Sequence, residues 1–195
     1  EQCLFSVIKA CADIEAEIFV IDNHSTDGSK DYLQKKFPQV NFRWKNSNVG
    51  FAKANNSILP ETKGGHILFL NPDTIVPEDC FNKCLGFFQS HEDIGAIGVR
   101  MIDGSGKYLK ESKRSFPSAA ASFYKMAGMA TLFPSSKFFA KYYAVKKKKK
   151  ENSEVDVLAG ACMMVKRDVL NIVKGFDEDY FMYGEDIDLC YRVQK

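Results

Sequence analysis

The sequence predicts an α/β fold in which a mostly parallel sheet is flanked by helices. Three observations carry that prediction. Short β-rich runs alternate with amphipathic stretches at about the spacing of βαβ units. Residues 67–70, bounded by Gly64-Gly65 and by a proline turn, are apolar on both faces, as a strand covered from both sides must be. That run ends in Asn71-Pro72-Asp73, so a carboxylate is delivered at the end of a strand, where open α/β sheets bind their ligands.

The elements follow in order. Leu4, Val7, Ile8 and Cys11 fall at i, i+3, i+4 and i+7, which predicts an opening helix. Residues 17–22 form a β-rich run closed by Asp22, and Asn23 to Ser29 supply turn and N-cap residues. A helix through Tyr32, Leu33 and Phe37 stops near Pro38, and residues 40–44 make the next strand. After a loop from Asn46 to Gly50, residues 51–59 read as a short helix. Beyond the strand over 67–70, Pro77-Glu78-Asp79 opens a helix with proline and acids in its first turn. Phe81, Cys84, Leu85 and Phe88 are its apolar stripe. Residues 94–101 predict a strand, and Asp103-Gly104-Ser105-Gly106 turns into a shorter one near Tyr108.

Between Arg114 and Tyr143, Phe116, Phe123, Phe133, Phe138 and Phe139 follow no clean period. A helix pair packed on the sheet is favoured there over an apolar lid. Residues 155–165 are a second long apolar run, whose small residues Ala159-Gly160-Ala161 admit another backbone or a ligand. Asp168 caps a short helix over 169–173 that Gly175 ends, and a further helix starts at Glu185.

At 195 residues the chain can bury one well-formed core. A net charge of +2 makes no electrostatic case for nucleic acid. No stretch approaches the length of a transmembrane helix. The unbroken run Lys146 to Lys150 is ordinarily a solvated loop, and in its sharper reading a basic patch beside anionic lipid. Cys3, Cys11, Cys84 and Cys190 match apolar helix faces and no signal peptide is visible, so reduced, buried thiols in a cytoplasmic setting are expected. Cys80 and Cys84 have helical spacing, but no neighbour completes a zinc set. The chain opens on Glu1 inside a helical pattern and closes on Lys195 without a stop signal, which reads as a piece of a longer protein.

The chemistry concentrates in Asn71-Pro72-Asp73 and in the acid-rich stretch after Gly175. If Glu185 onward is helical, Ile187, Cys190 and Tyr191 form its core face. Asp188 and Arg192 are then spaced for an i,i+4 ion pair on another side, near Glu185. Asp186 falls beside Cys190 and Val193, at the margin of the apolar face, where a partly desolvated carboxylate can act as a general base. Glu185 and Asp188 serve equally well as acids complementing a helix dipole. Asp73 with a divalent ion would neutralise a diphosphate while Asp186 accepts a proton from a hydroxyl. Glycosyl transfer from a nucleotide sugar requires that division of labour. One aspartate is enough for Mg²⁺, which keeps waters and takes substrate phosphate as ligands.

Four motifs sharpen this. Val20-Ile21-Asp22-Asn23-His24-Ser25-Thr26-Asp27-Gly28-Ser29, Asn48-Val49-Gly50-Phe51-Ala52-Lys53-Ala54-Asn55-Asn56, Leu70-Asn71-Pro72-Asp73-Thr74 and Gly184-Glu185-Asp186-Ile187-Asp188-Leu189-Cys190-Tyr191-Arg192 resemble, in order, the signature of family 2 glycosyltransferases. The likeness is to the bacterial rhamnosyltransferase-like branch and covers nearly the whole chain. It implies a single domain with a GT-A (Rossmann-like) fold. Residues from 1 to about 110 would form the nucleotide-sugar-binding half, and from about 111 to 195 the acceptor-binding and catalytic half. It implies inverting transfer of a sugar, dTDP-rhamnose being one candidate donor, to a hydroxyl of a glycan or lipid-linked acceptor in cell-surface polysaccharide synthesis.

By the same resemblance Asp22 and Asn23 would meet the nucleotide base, and Asn48, Gly50 and Asn55 the base and ribose. Asn71 and Asp73 would lie at the donor, with Asp73 at the last position of the family's DXD motif for Mg²⁺ or Mn²⁺. Gly160 and Ala161 would sit where donor sugar and acceptor meet. Asp186 matches the catalytic base, with Glu185 binding acceptor or ordering the site. Three departures stand out: Asn71 replaces the first acid of DXD, the family's first strand would lie upstream of Glu1, and a metal-holding histidine segment would lie beyond Lys195.

The alternative is a non-catalytic nucleotide-sugar-binding or scaffolding domain of the same fold. The apparent base at Asp186 disfavours a sugar-nucleotide nucleotidyltransferase. A cytoplasmic location is expected, with peripheral contact at the inner face of the plasma membrane. Self-association through unpaired strand edges and no nucleic-acid partner are expected too.

Overall fold

The computed structural model describes residues 1–116 and 152–195. The aromatic segment from Phe123 to Phe139 and the Lys146 to Lys150 run lie outside the described residues. Helix α1 spans Gln2–Ala10, and strand β1, Phe19–Asp22, lies parallel to β2, Asn41–Trp44, across helix α2, Ser29–Lys36. Helix α3, Phe51–Asn56, is followed by a single 3₁₀ turn over Leu59–Glu61. Pro60 stands in that turn, so the helix expected over 51–59 divides in two.

A second sheet holds the strand that ends at Asn71. Its order is β3 (His66–Leu70), β5 (Cys162–Lys166), β4 (Ala96–Gly98). β5 runs antiparallel to both neighbours, which are therefore parallel to each other. The α/β class stands, and the expected parallel pairing holds for β1 with β2. It fails at β5, because a strand entering from the distant second half of the chain is not tied to the crossover geometry of a βαβ unit.

β5 earns its central place through alternation. Met163 and Val165 face one buried cluster with Phe69, Val157, Leu170, Phe176 and Leu189, while Met164 faces another with Val7, Phe81, Cys84 and Phe88. Helix α4, Cys80–Ser90, supplies the second cluster through Phe81, Cys84 and Phe88. It begins at Cys80, after the Pro77-Glu78-Asp79 segment expected to form its first turn; Asp79 is its N-cap. A third cluster, Leu4, Phe37 and Val40, lies beneath β1 and β2. All six cysteines are free thiols, with Cys11 and Cys80 only partly buried.

Two expected strands are shorter than their apolar runs. In 155–165, Cys162 N–H donates to Ala159 C=O at 3.2 Å, closing a turn over the small residues before β5. Val157 pairs instead with Arg114 in an isolated antiparallel bridge. In 94–101 only Ala96–Gly98 is a strand. Helix α5, Arg167–Val173, has Lys166 as its N-cap, so Asp168 stands inside the first turn instead of capping it. Lys174 and Gly175, both at positive φ, end it.

Helix α6, Glu185–Val193, starts at the predicted residue, but its buried residues are Glu185, Leu189 and Cys190. Tyr191 is exposed, its ring edge-on to Phe116 at 5.6 Å and beneath the Lys195 ammonium. Leu189 takes the core position because it faces Val157 and Val165 within the same cluster.

Candidate functional site

Two groups of the expected residues assemble, and one loop joins them. At the end of β1, Asp22 Oδ2 accepts the backbone N–H groups of His24 and Ser25 at 3.1 and 2.9 Å. This Asx-type turn fixes the loop, with His24 at φ 75°. Asn23 donates to Asn48 Oδ1 at 2.8 Å and to Gly50 C=O at 3.2 Å, and accepts from Val49 N–H at 2.9 Å. Asn23, Asn48 and Gly50 thus form one hydrogen-bonded unit between the ends of β1 and β2. Asn55 does not join it, since its amide turns back to Phe51 C=O at 2.9 Å within α3.

The second group surrounds the end of β3. Asn71 N–H donates to Ala161 C=O at 3.0 Å, and Thr74 Oγ1 donates to Asn71 C=O at 2.8 Å, closing the Asn71-Pro72-Asp73 turn. Asp73 projects from it, exposed. The neighbouring Gly160 N–H donates to Asp186 Oδ2 at 3.2 Å. A Cβ on Gly160 would lie 3.3 Å from Asp186 Cβ, so a glycine here allows the close approach of α6. The expected Asp73 turn, Gly160-Ala161 and Asp186 are therefore brought together along one backbone path.

Residues 180–183 connect the groups. Phe51 N–H donates to Phe181 C=O at 2.9 Å, beside Gly50. The segment then passes through Tyr183 at φ 69° and Gly184 at φ 97° into α6. A non-glycine residue in the left-handed region is costly and is held by its surroundings. Tyr180, Phe181, Met182 and Tyr183 are all exposed.

Around Asp186 the electrostatics are uneven. The Arg114 guanidinium forms an ion pair with Asp186 through Nη2, which also donates to Leu158 C=O at 3.1 Å. Among the described residues Arg114 Nε is buried with no hydrogen-bond partner. Glu185 is buried and, among the described residues, its Oε2 has no partner either; burial, with the Asp186 charge adding, pushes its carboxyl above the usual range. Asp188 and Arg192 make the expected i,i+4 pair, and Arg192 also reaches Val173 C=O, tying α6 to α5.

Arg114 is absent from the sequence-based expectations. Its contact with Asp186 spans 72 positions, and a basic residue in an aperiodic stretch carries no local mark of its partner. A cavity of about 420 Å³ lies apart from these residues, lined in part by Asn56, Leu59, Arg167, Asn171 and Lys174. Among the described residues no group of three or more His, Cys, Asp or Glu is arranged to hold a metal, and no helix is long and apolar enough to cross a membrane.

Comparison with known proteins gives this geometry a context. The chain is 29% identical over 191 residues to an N-acetylglucosaminyl-diphospho-decaprenol L-rhamnosyltransferase of Mycobacterium tuberculosis, covering 91% of this chain and 61% of that protein. It is 30% identical over 152 residues to rhamnosyltransferase WbbL of Escherichia coli K12, covering 76% of this chain and 52% of that protein. It thus spans about half to three fifths of the length of these relatives.

Among solved structures, S. aureus TarS 1–349 superposes with a TM-score of 0.62 at 17% identity, over 98% of this chain and 50% of that one. The mannosyltransferase PcManGT from Pyrobaculum calidifontis, in complex with GDP-Man and Mn²⁺, gives 0.62 at 16% identity, over 98% of this chain and 46% of that one. These neighbours share the α/β GT-A-like fold. The family model described as glycosyl transferase family 2 matches residues 1–173, and the chain belongs to that family.

Proposed function

We propose that this chain forms the catalytic core of an inverting glycosyltransferase, moving a sugar from a nucleotide-diphosphate donor to a hydroxyl acceptor. One observation carries the reading. The Gly160-Ala161 backbone bonds to Asp186 on one side and to the Asn71-Pro72-Asp73 turn on the other. The side chain proposed as base and the turn that carries Asp73 are thus tied to two neighbouring residues of one segment.

In this reaction Asp186 takes the proton of the acceptor hydroxyl as its oxygen attacks the anomeric carbon. The bond from that carbon to the phosphate oxygen breaks on the opposite face, its electron pair leaving with the diphosphate, and the centre inverts. Glu185 orders the acceptor side, and Gly160 and Ala161 leave room for the sugar. Asp22, Asn23, Asn48 and Gly50 form the nucleoside end, Asn71 and Asp73 the phosphate end. Asp73 is the residue to hold Mg²⁺ or Mn²⁺, and with no three-residue protein cluster among the described residues, donor phosphate and water would complete its shell. Such an ion supplies neutralisation of the leaving charge.

A single domain spanning the halves before and after about residue 110 is supported by β5 of the second half pairing between β3 and β4 of the first. The two relatives named as rhamnosyltransferases favour a donor such as dTDP-rhamnose and a lipid-linked glycan acceptor. Such an acceptor implies work at the cytoplasmic face of the plasma membrane. A second reading, a non-catalytic nucleotide-sugar-binding domain, is favoured by Asn71 at the first position of the acidic motif.

The test is donor binding and hydrolysis across UDP-, GDP- and dTDP-sugars, with and without Mg²⁺ or Mn²⁺. Asp186→Asn is expected to lower turnover by about 100-fold or more while donor affinity is kept. Turnover retained in that variant removes Asp186 from the base role, and binding without turnover in the unmutated chain favours the second reading.

A further inference from the structure

We infer that Arg114 is a positioning residue for the transfer reaction, pinning one oxygen of Asp186 so that the other alone receives the acceptor proton. This rests on the reading of Asp186 as the general base. Both contacts made by the Asp186 carboxylate converge on Oδ2, one from the Arg114 guanidinium and one from Gly160 N–H at 3.2 Å. No group among the described residues donates to Oδ1. A carboxylate held at one oxygen by two donors of different direction cannot rotate about its Cβ–Cγ bond without breaking both. Its second oxygen is thereby aimed, as a base in near-attack geometry must be.

Arg114 is itself held. Its backbone N–H donates to Val157 C=O at 3.2 Å, its C=O accepts from Val157 N–H at 3.0 Å, and Nη2 donates to Leu158 C=O. Val157 is fully buried, so the bridge that carries the arginine is anchored in the core. Arg114 and Asp186 are 19% and 15% exposed, which screens their pair from solvent more than a surface pair. In the step itself the hydroxyl O–H bond breaks, its proton passes to Oδ1, and the oxygen forms its bond to the anomeric carbon as the diphosphate leaves. Arg114 transfers nothing.

The experiment compares the unmutated full chain with Arg114→Ala, Arg114→Lys and Asp186→Asn. Donor affinity is measured by calorimetry, kcat and KM with the donor turned over, and recovery on adding millimolar methylguanidinium. Arg114→Ala is expected to keep donor affinity, to lose about 100-fold in kcat with little change in KM, and to regain turnover with methylguanidinium. Asp186→Asn should gain nothing from it. Arg114→Lys, with one charge and no fork, should fall between. Unchanged kcat in Arg114→Ala, loss of donor affinity in that variant, or failure of methylguanidinium to restore it each overturns the positioning role. An unmutated chain that binds and turns over no donor defeats instead the transferase reading beneath it.

Discussion

Glu185 joins stability to the site at the level of a single side chain. Of the carboxylates among the described residues it is the buried one, and Oε2 meets no donor. Burial first, and the neighbouring Asp186 charge next, raise its pKa above 4.5; backbone N–H groups and the Arg114 guanidinium oppose them. The folded chain therefore keeps a proton on Glu185 over a window that starts at the unfolded value and ends at the raised one. Within that window the folded state binds more protons, so stability falls as pH rises. The contribution is complete below 4.5 and gone above the folded-state value. Glu185→Gln is uncharged throughout. In urea unfolding it should match the unmutated chain at about pH 4 and exceed it at about pH 8. A difference that is the same at both pH values would mean that Glu185 does not titrate in that window. The neighbouring Asp186 is accessible enough, and paired enough, to be a working group; Glu185 is placed to cost stability unless a ligand donates to it.

At the scale of elements, the join between the two halves of the site is the contact of the Gly50 loop with residues 180–183. Gly50 has φ +85°, and a Cβ there would lie 2.6 Å from Phe181 C=O, the acceptor for Phe51 N–H. Gly50→Ala meets both penalties at once, strained backbone and displaced carbonyl, and is expected to cost about 1–3 kcal/mol of stability. Because residues 180–183 lead directly into Glu185 and Asp186, turnover should fall further than the fraction unfolded explains. Denaturation and kinetics on the same sample check this, and an unchanged urea midpoint would show that the loop yields freely. How far such features were legible in sequence follows the range of the interactions. Helices α1, α4 and α6 announced themselves because their i, i+3, i+4 patterns are local. The Asp73 turn was legible because a proline ends a strand. The direction of β5, the exposure of Tyr191 and the Arg114–Asp186 pair were not, since each is decided by residues remote in the chain. Leu189 in place of Tyr191 on the core face of α6 is the same point in small: periodicity names a face, and packing chooses its centre.

Across the whole molecule, the question is whether the proposed nucleotide end and the proposed catalytic end unfold together. They lie on separate sheets among the described strands, β1 with β2 and β3 with β5 and β4. What links them is α1, whose Leu4 packs under the first sheet while Cys3, Val7 and Ala10 pack with Met164 of β5. Ile18, just before β1, touches both clusters. A helix shared between two cores is a route for cooperativity, because neither core can lose it without exposing the other. The single tryptophan, Trp44, stands in β2 and stacks on Phe42 at 5.3 Å, so its fluorescence reports the first sheet. Met163 is 1% exposed at the centre of the other sheet, and Met163→Ala should cost about 2–5 kcal/mol there. If the chain is one cooperative unit, that substitution must lower the urea midpoint of Trp44 fluorescence by as much as it lowers the midpoint of far-ultraviolet circular dichroism. If Trp44 keeps its midpoint while the dichroism transition moves or splits, the nucleotide end folds as a unit of its own. The proposed catalytic end would then owe its order to the second sheet and its helices, and donor binding at the first could persist in a chain whose Asp186 is no longer held.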